Sequence, residues 1–209
     1  SDYKLKEIDS DTSNLEEKLS ADMEYGWAKL MSEIQLRAFH KQYGLKCCPL
    51  RFVTAYGPRE NETHAIIALI YKAVEKIDPY PIWGDGNQER DFTYVEDIID
   101  GCLLAAEKPI NDGTPINLGT GTRYKIKEVV EMICEILNWR PKEFVFEKDK
   151  PVGVLSRALD NSKAKELLGW EPKFSLKEGL GKTIEWYLKT HKTSGKINDS
   201  VLLEHNFTS

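Results

Sequence analysis

An α/β fold is predicted for this chain of 209 residues. Short runs rich in β-branched and aromatic residues alternate with longer segments of helical period, glycine- and proline-bearing turns separate them, and no internal repeat or low-complexity tract interrupts the order. A helical bundle or a β-sandwich would not alternate in this way.

The elements follow in sequence. Residues Ser1 to Ala21 are polar and acidic without sustained periodicity, and read as a loop that has been cut into. From Asp22, the apolar positions Trp27, Leu30, Met31, Ile34 and Ala38 follow the helical period to about Gln42, where Tyr43-Gly44 stops the helix. Leu50 to Thr54 reads as a buried strand after Pro49, and Ala55-Tyr56-Gly57-Pro58-Arg59 turns the chain away. Thr63 to Lys76 is helical in pattern, Ile82-Trp83 is extended, and Arg90 to Val95 alternates as a strand does. Glu96 to Glu107 returns to helix through Ile98, Ile99, Cys102, Leu103 and Ala106. Ile116 to Leu118 is a strand leading into Gly119-Thr120-Gly121-Thr122, and an amphipathic helix follows through Ile126, Val129, Val130, Ile133 and Leu137. Phe144 to Phe146 is a further strand. Asp160-Asn161-Ser162 is placed to cap a short helix to Leu168, and Ser175-Leu176-Lys177-Glu178 has capping-box spacing before a helix reaching Leu188.

Composition narrows the function classes. Lys+Arg 29 against Asp+Glu 34 gives a net charge of -5, which offers no general attraction to nucleic acid or to an anionic membrane, so an anion must be gripped locally. The longest apolar run, Ala65 to Tyr71, is far short of the roughly 20 residues of a membrane span. Cys47, Cys48, Cys102 and Cys134 lack metal-ligand spacing and read as reduced thiols, which favours the cytoplasm. His40, His64, His191 and His205 are widely spaced and form no metal-binding pattern.

Three stretches carry possible chemistry. In Tyr25-Gly26-Trp27-Ala28-Lys29 one helical turn brings a phenol and an ammonium onto the same face, away from Trp27. A phenol keeps its proton at neutral pH unless a nearby cation favours the phenolate, which Lys29 could supply; on spacing alone, a packed tyrosine beside a solvated lysine is the commoner outcome. Gly84-Asp85-Gly86 and Gly119-Thr120-Gly121 both lack the third glycine of GxGxxG, so a turn role outweighs a phosphate cradle. Arg90, at the mouth of a strand, suits a two-pronged grip on phosphate and equally a surface salt bridge to Asp91 or Glu96; Arg157 poses the same alternatives.

Taken in order, these segments resemble the extended short-chain dehydrogenase/reductase family, in particular its nucleotide-sugar epimerases, dehydratases and decarboxylases. Tyr25-Gly26-Trp27-Ala28-Lys29 resembles the family's YxxxK, and Arg51-Phe52-Val53-Thr54-Ala55-Tyr56-Gly57-Pro58-Arg59 its sugar-lining segment. Ile82-Trp83-Gly84-Asp85-Gly86 with Arg90-Asp91-Phe92-Thr93-Tyr94-Val95-Glu96-Asp97 is similar to the nucleotide-gripping segment, and Asn117-Leu118-Gly119-Thr120-Gly121 to the motif after it. Leu168-Gly169-Trp170-Glu171-Pro172 and Ser175 to Leu180 match the family's C-terminal ending, so the likeness runs from about Asp22 to Lys189.

The resemblance implies the C-terminal part of a Rossmann-type, doubly wound enzyme with its small α/β substrate-binding lobe. The glycine fingerprint and the acidic residue for the adenosine ribose are expected upstream of Ser1. Residues 1–60 would end the NAD-binding domain and include the catalytic helix, 61–190 would form mainly the nucleotide-sugar lobe with segments returning to the sheet, and 191–209 would be a tail. The implied function is NAD-dependent epimerisation or dehydration of a nucleotide-diphosphate sugar, with decarboxylation or a non-catalytic nucleotide-sugar-binding fragment as alternatives. Tyr25 and Lys29 would be the catalytic and cofactor-binding pair, and Thr54, Arg90 and Arg157 would bind substrate, with no metal. Thr54 stands where the family usually carries asparagine, and Ser1 is the candidate for its upstream Ser or Thr. The family also implies a homodimer, with the helices that start near Tyr25 and Thr63 as candidates for the contact.

Overall fold

A computed structural model of the chain describes residues 23–193 apart from 109 and 111. Ser1 and most of the expected tail lie outside the described residues. The elements are α1 (Met23–Tyr43), β1 (Leu50–Phe52), β2 (Thr54–Tyr56), α2 (Ala65–Val74), β3 (Tyr80–Trp83), β4 (Glu89–Arg90), β5 (Phe92–Tyr94), α3 (Val95–Glu107), β6 (Ile116–Leu118), β7 (Tyr124–Lys125), α4 (Ile126–Ile136), β8 (Phe144–Glu147), β9 (Ser156–Arg157), a π-helical turn (Ala164–Leu168) and α5 (Leu176–Thr193). Two expected strands are each divided. The first breaks at Val53, where Ala55 N donates back to Val53 O at 2.7 Å, and Thr54 opens a separate strand. The second breaks at Asp91, whose carboxylate is drawn inward by partners far along the chain. The two-residue strand β7 separates the Gly119 turn from α4, which the sequence pattern runs together.

The chain divides into two compact units. One gathers the described residues up to Ala55 with Arg90–Arg123 and Val154–Lys173. Its centre is a parallel pair in which Leu50, Arg51 and Phe52 of β1 face Ile116, Asn117 and Leu118 of β6. The apolar stripe of α3 brings Ile98 and Ala105 into one core with Ile116, Leu118, Ala164, Leu168 and Trp170. Burying each Ile or Leu contributes about 1.5–3 kcal/mol. The approach of α3 is close because Gly101 has no side chain: a Cβ there would stand 2.6 Å from Leu118 Cδ1. The buried indole of Trp170 donates from Nε1 to Asp97 O at 2.9 Å, so its polar edge is satisfied.

The other unit comprises Tyr56–Glu89, Tyr124–Gly153 and the described residues from Phe174 onward. Tyr80 to Trp83 of β3 run parallel to Phe144 to Glu147 of β8 in register. Helix α4 packs against both α2 and α5, burying Ile66, Ile70, Val129, Ile133, Ile184 and Leu188. The capping box expected at Ser175 is formed: Ser175 N donates to Glu178 Oε2 at 2.8 Å and Glu178 N to Ser175 Oγ at 3.3 Å. The helix it starts runs to Thr193, beyond the expected end at Leu188. Among the described residues no helix is long and apolar enough to cross a membrane.

Candidate active site

Helix α1 carries Tyr25 and Lys29 one turn apart. The tyrosine is 75% exposed, and Lys29 Nζ lies 5.4 Å from the centre of its ring. That distance is within the roughly 6 Å at which an ammonium is held by an aromatic face. The pair therefore presents a phenol with a cation against it on an accessible helix surface. Trp27 and Met31, expected to bury the opposite stripe, are about half-exposed in the described structure.

The polar tie of α1 to the strands is made by Glu33, a further turn along. Arg51 of β1 grips it with both prongs of the guanidinium, Nε to Oε1 at 2.6 Å and Nη2 to Oε2 at 2.5 Å. Three residues after Arg51, Thr54 opens β2, half-buried beside β5.

Arg90 and Arg157 come together on neighbouring strands, β4 beside β9. Asp91 N donates to Arg157 O at 3.0 Å and fixes this pairing. Burial, with the adjacent Arg157 charge adding to it, holds the Arg90 guanidinium below its usual range. Two cationic side chains thus stand on adjacent strands in a chain of net charge -5.

By sequence, Asp91 and Glu96 are the candidate salt-bridge partners of Arg90, and Asp91 is the nearer along the chain. The structure gives its carboxylate other work. Fully buried at 0% exposure, Asp91 accepts from Thr120 N at 3.1 Å and Thr120 Oγ1 at 2.5 Å on one oxygen. The other oxygen accepts from Gly121 N at 3.0 Å and Leu159 N at 3.3 Å. Gly119 lets the turn close over it, since a Cβ at that position would stand 2.9 Å from Asp91 Oδ2. The amides of the Gly119-Thr120-Gly121 turn thus serve an internal carboxylate, which accounts for the glycines without a phosphate.

Tyr25 with Lys29 on α1, Thr54 on β2, and Arg90 with Arg157 on β4 and β9 all belong to the first unit, whereas Gly84-Asp85-Gly86 belongs to the second. Pattern reading missed Asp91 and the Arg51–Glu33 tie. For Asp91 the available signal was a glycine turn with backbone donors to satisfy; for Glu33 it was the spacing of one turn from Lys29.

Residues 4–119 match the model of a family described as the NAD dependent epimerase/dehydratase family. Over 191 residues the chain is 33% identical to a dTDP-glucose 4,6-dehydratase of Xanthomonas campestris pv. campestris, covering 86% of this chain and 54% of that protein. It is 33% identical over 167 residues to GDP-mannose 3,5-epimerase of Arabidopsis thaliana, covering 78% of this chain and 43% of the relative. The crystal structure of UDP-glucose 4-epimerase from Thermotoga maritima with UDP-glucose superposes with a TM-score of 0.74 at 37% identity, covering 79% of this chain and 53% of that one. The chain thus spans about half the length of the curated relatives it matches.

Proposed function

From the premise that the chain belongs to the NAD dependent epimerase/dehydratase family, with the Rossmann-type fold of its structural relatives, we propose that it serves NAD-dependent epimerisation or dehydration of a nucleoside-diphosphate sugar. The observation that carries the reading is the exposed Tyr25 phenol with the Lys29 ammonium on its ring. Tyr25 takes the proton from a sugar hydroxyl as that carbon is oxidised and returns it on reduction, with the Lys29 ammonium held at its ring. When bound, NAD would supply the hydride acceptor for this oxidation and the hydride donor for the return reduction.

The side chains on α1 fit the nicotinamide end of the cofactor, because a phenol and an ammonium offer the hydrogen bonds that ribose hydroxyls accept and donate. The Gly119-Thr120-Gly121 turn does not fit the pyrophosphate, since its amides are held by Asp91. Arg90 and Arg157 hold the substrate diphosphate, and Thr54 faces the sugar. Residues 61–190 then supply mainly the nucleotide-sugar lobe, with the segments of Arg90 and Arg157 returning to the unit of Tyr25. The relatives are named for dTDP-, GDP- and UDP-sugars at similar identity, so the reading extends to the diphosphate sugar as a class. Free thiols at Cys47, Cys48, Cys102 and Cys134 suit the cytoplasm, and a homodimer is the assembly the reading carries.

The experiment is incubation of the protein and NAD with a panel of UDP-, GDP- and dTDP-sugars, with products resolved by chromatography and NMR. An epimerised or dehydrated sugar with no net consumption of NAD supports the reading. Binding of the panel without any product would return the chain to a nucleotide-sugar-binding role.

A further inference from the structure

We infer that Arg51 is a positioning residue for Lys29: by occupying both oxygens of Glu33, it keeps the Lys29 ammonium on the Tyr25 ring. Tyr25, Lys29 and Glu33 stand at successive turns of α1, so Lys29 has an aromatic ring on one side and a carboxylate on the other, each four residues away. A lysine and a glutamate at this spacing ordinarily attract each other. In this helix they do not meet. The Glu33 oxygens are on Arg51, and the Lys29 ammonium lies 5.4 Å from the centre of the Tyr25 ring.

The reason lies in β1. Glu33 is only 13% exposed and Arg51 20%, and the two-pronged pair uses Oε1 and Oε2 together. A planar guanidinium matches a carboxylate in this way, whereas an ammonium is a point charge with no such fit. Glu33 is thereby both satisfied and turned toward the strand. Without the guanidinium it becomes a largely buried carboxylate with no partner; of the two cations one turn away on its helix, Arg37 has its stem packed against Gly113, whereas Lys29 is exposed. The ammonium would swing one turn toward Glu33 and leave the phenol. Arg51 touches neither substrate nor cofactor in this account; it acts by removing a competitor.

The consequence for catalysis rests on the proposed role of Tyr25 and Lys29, but the test reads the ammonium directly. In protein labelled with 13C-lysine, the ε-methylene signal of Lys29, assigned through Lys29→Arg, is expected upfield of the other lysines because it lies over the Tyr25 ring. Tyr25→Leu should abolish that displacement. Arg51→Met should abolish it as well, and Arg51→Met with Glu33→Gln should restore it, because the competing carboxylate has gone. Glu33→Gln alone should leave it at the wild-type value.

A displacement that survives Arg51→Met overturns the inference, and so does one that the double variant fails to restore. Arg51→Lys keeps a cation but loses the fork, so it should give a partial loss; it replaces Arg51→Met if that protein does not fold, and an unchanged signal in it overturns the inference equally. These signals are independent of turnover. The full set of expected shifts in a protein inactive on every nucleotide sugar would reject the proposed function and leave the positioning role intact.

Discussion

Arg157 stands close enough to Arg90, on the neighbouring strand, for its charge to add to burial in lowering the Arg90 guanidinium from its usual range. Like charges held together by a backbone pairing cost stability, and an anion lying against both relieves that cost. Arg90→Ala should weaken a nucleotide sugar and the corresponding free UDP or GDP in parallel. A charge-assisted hydrogen bond of about 1.5–3 kcal/mol corresponds to roughly 10- to 150-fold in affinity. Calorimetric titration of both proteins with both ligands is the measurement, and equal affinities would remove Arg90 from the site.

Tyr25→Phe should lower turnover by about 10²–10⁴ while changing nucleotide-sugar affinity only a few-fold. The ring remains to pack and to carry the Lys29 ammonium, so the hydroxyl alone is tested. Wild-type turnover by the variant would reject Tyr25 as the proton-transfer group.

Asp91→Ala should destabilise the protein by about 3 kcal/mol or more, since backbone donors of Thr120, Gly121 and Leu159 lose their acceptor at about 1–3 kcal/mol each. Asp91→Asn should cost less, because one oxygen remains, yet its amide group meets donors where the second oxygen stood. Urea unfolding of the three proteins gives the order. A surface role for Asp91 would leave all the midpoints together.

The capping box of α5 predicts a pH dependence. The Ser175 hydroxyl and then its backbone N–H hold the Glu178 carboxyl below its usual range. For a group depressed in the folded state, the stabilisation is complete above the unfolded value of about 4.3 and is lost as pH falls through the folded value. Glu178→Gln should therefore melt below wild type at pH 7, with the gap closing as the pH is taken under 4. A gap that stays constant with pH would mean that the carboxylate charge contributes nothing to the cap.

Much of the architecture was legible in local pattern because helical and strand periods are properties of neighbouring residues. The course of α1, the spacing of Tyr25 and Lys29, the pairs of apolar residues in α3 and α4, and the cap at Ser175 all follow from side chains within a turn or two of one another. For the same reason the candidate residues could be named before their surroundings were known. The family likeness of ordered motifs added the chemistry that spacing alone left open.

Tertiary structure decided which charges meet. Asp91 lies next to Arg90 in sequence, but its oxygens go to Thr120, Gly121 and Leu159; Glu33 lies one turn from Lys29, but its oxygens go to Arg51. Each choice follows from a partner brought in by a distant strand or turn, and a buried carboxylate takes the geometry that satisfies both oxygens over the cation that is merely nearest along the chain. The interleaving of segments into two units is of the same kind. Sequence by itself determined what α1 offers, a phenol, an ammonium and a carboxylate in line; only the fold, by bringing Arg51 to Glu33, left the ammonium on the phenol.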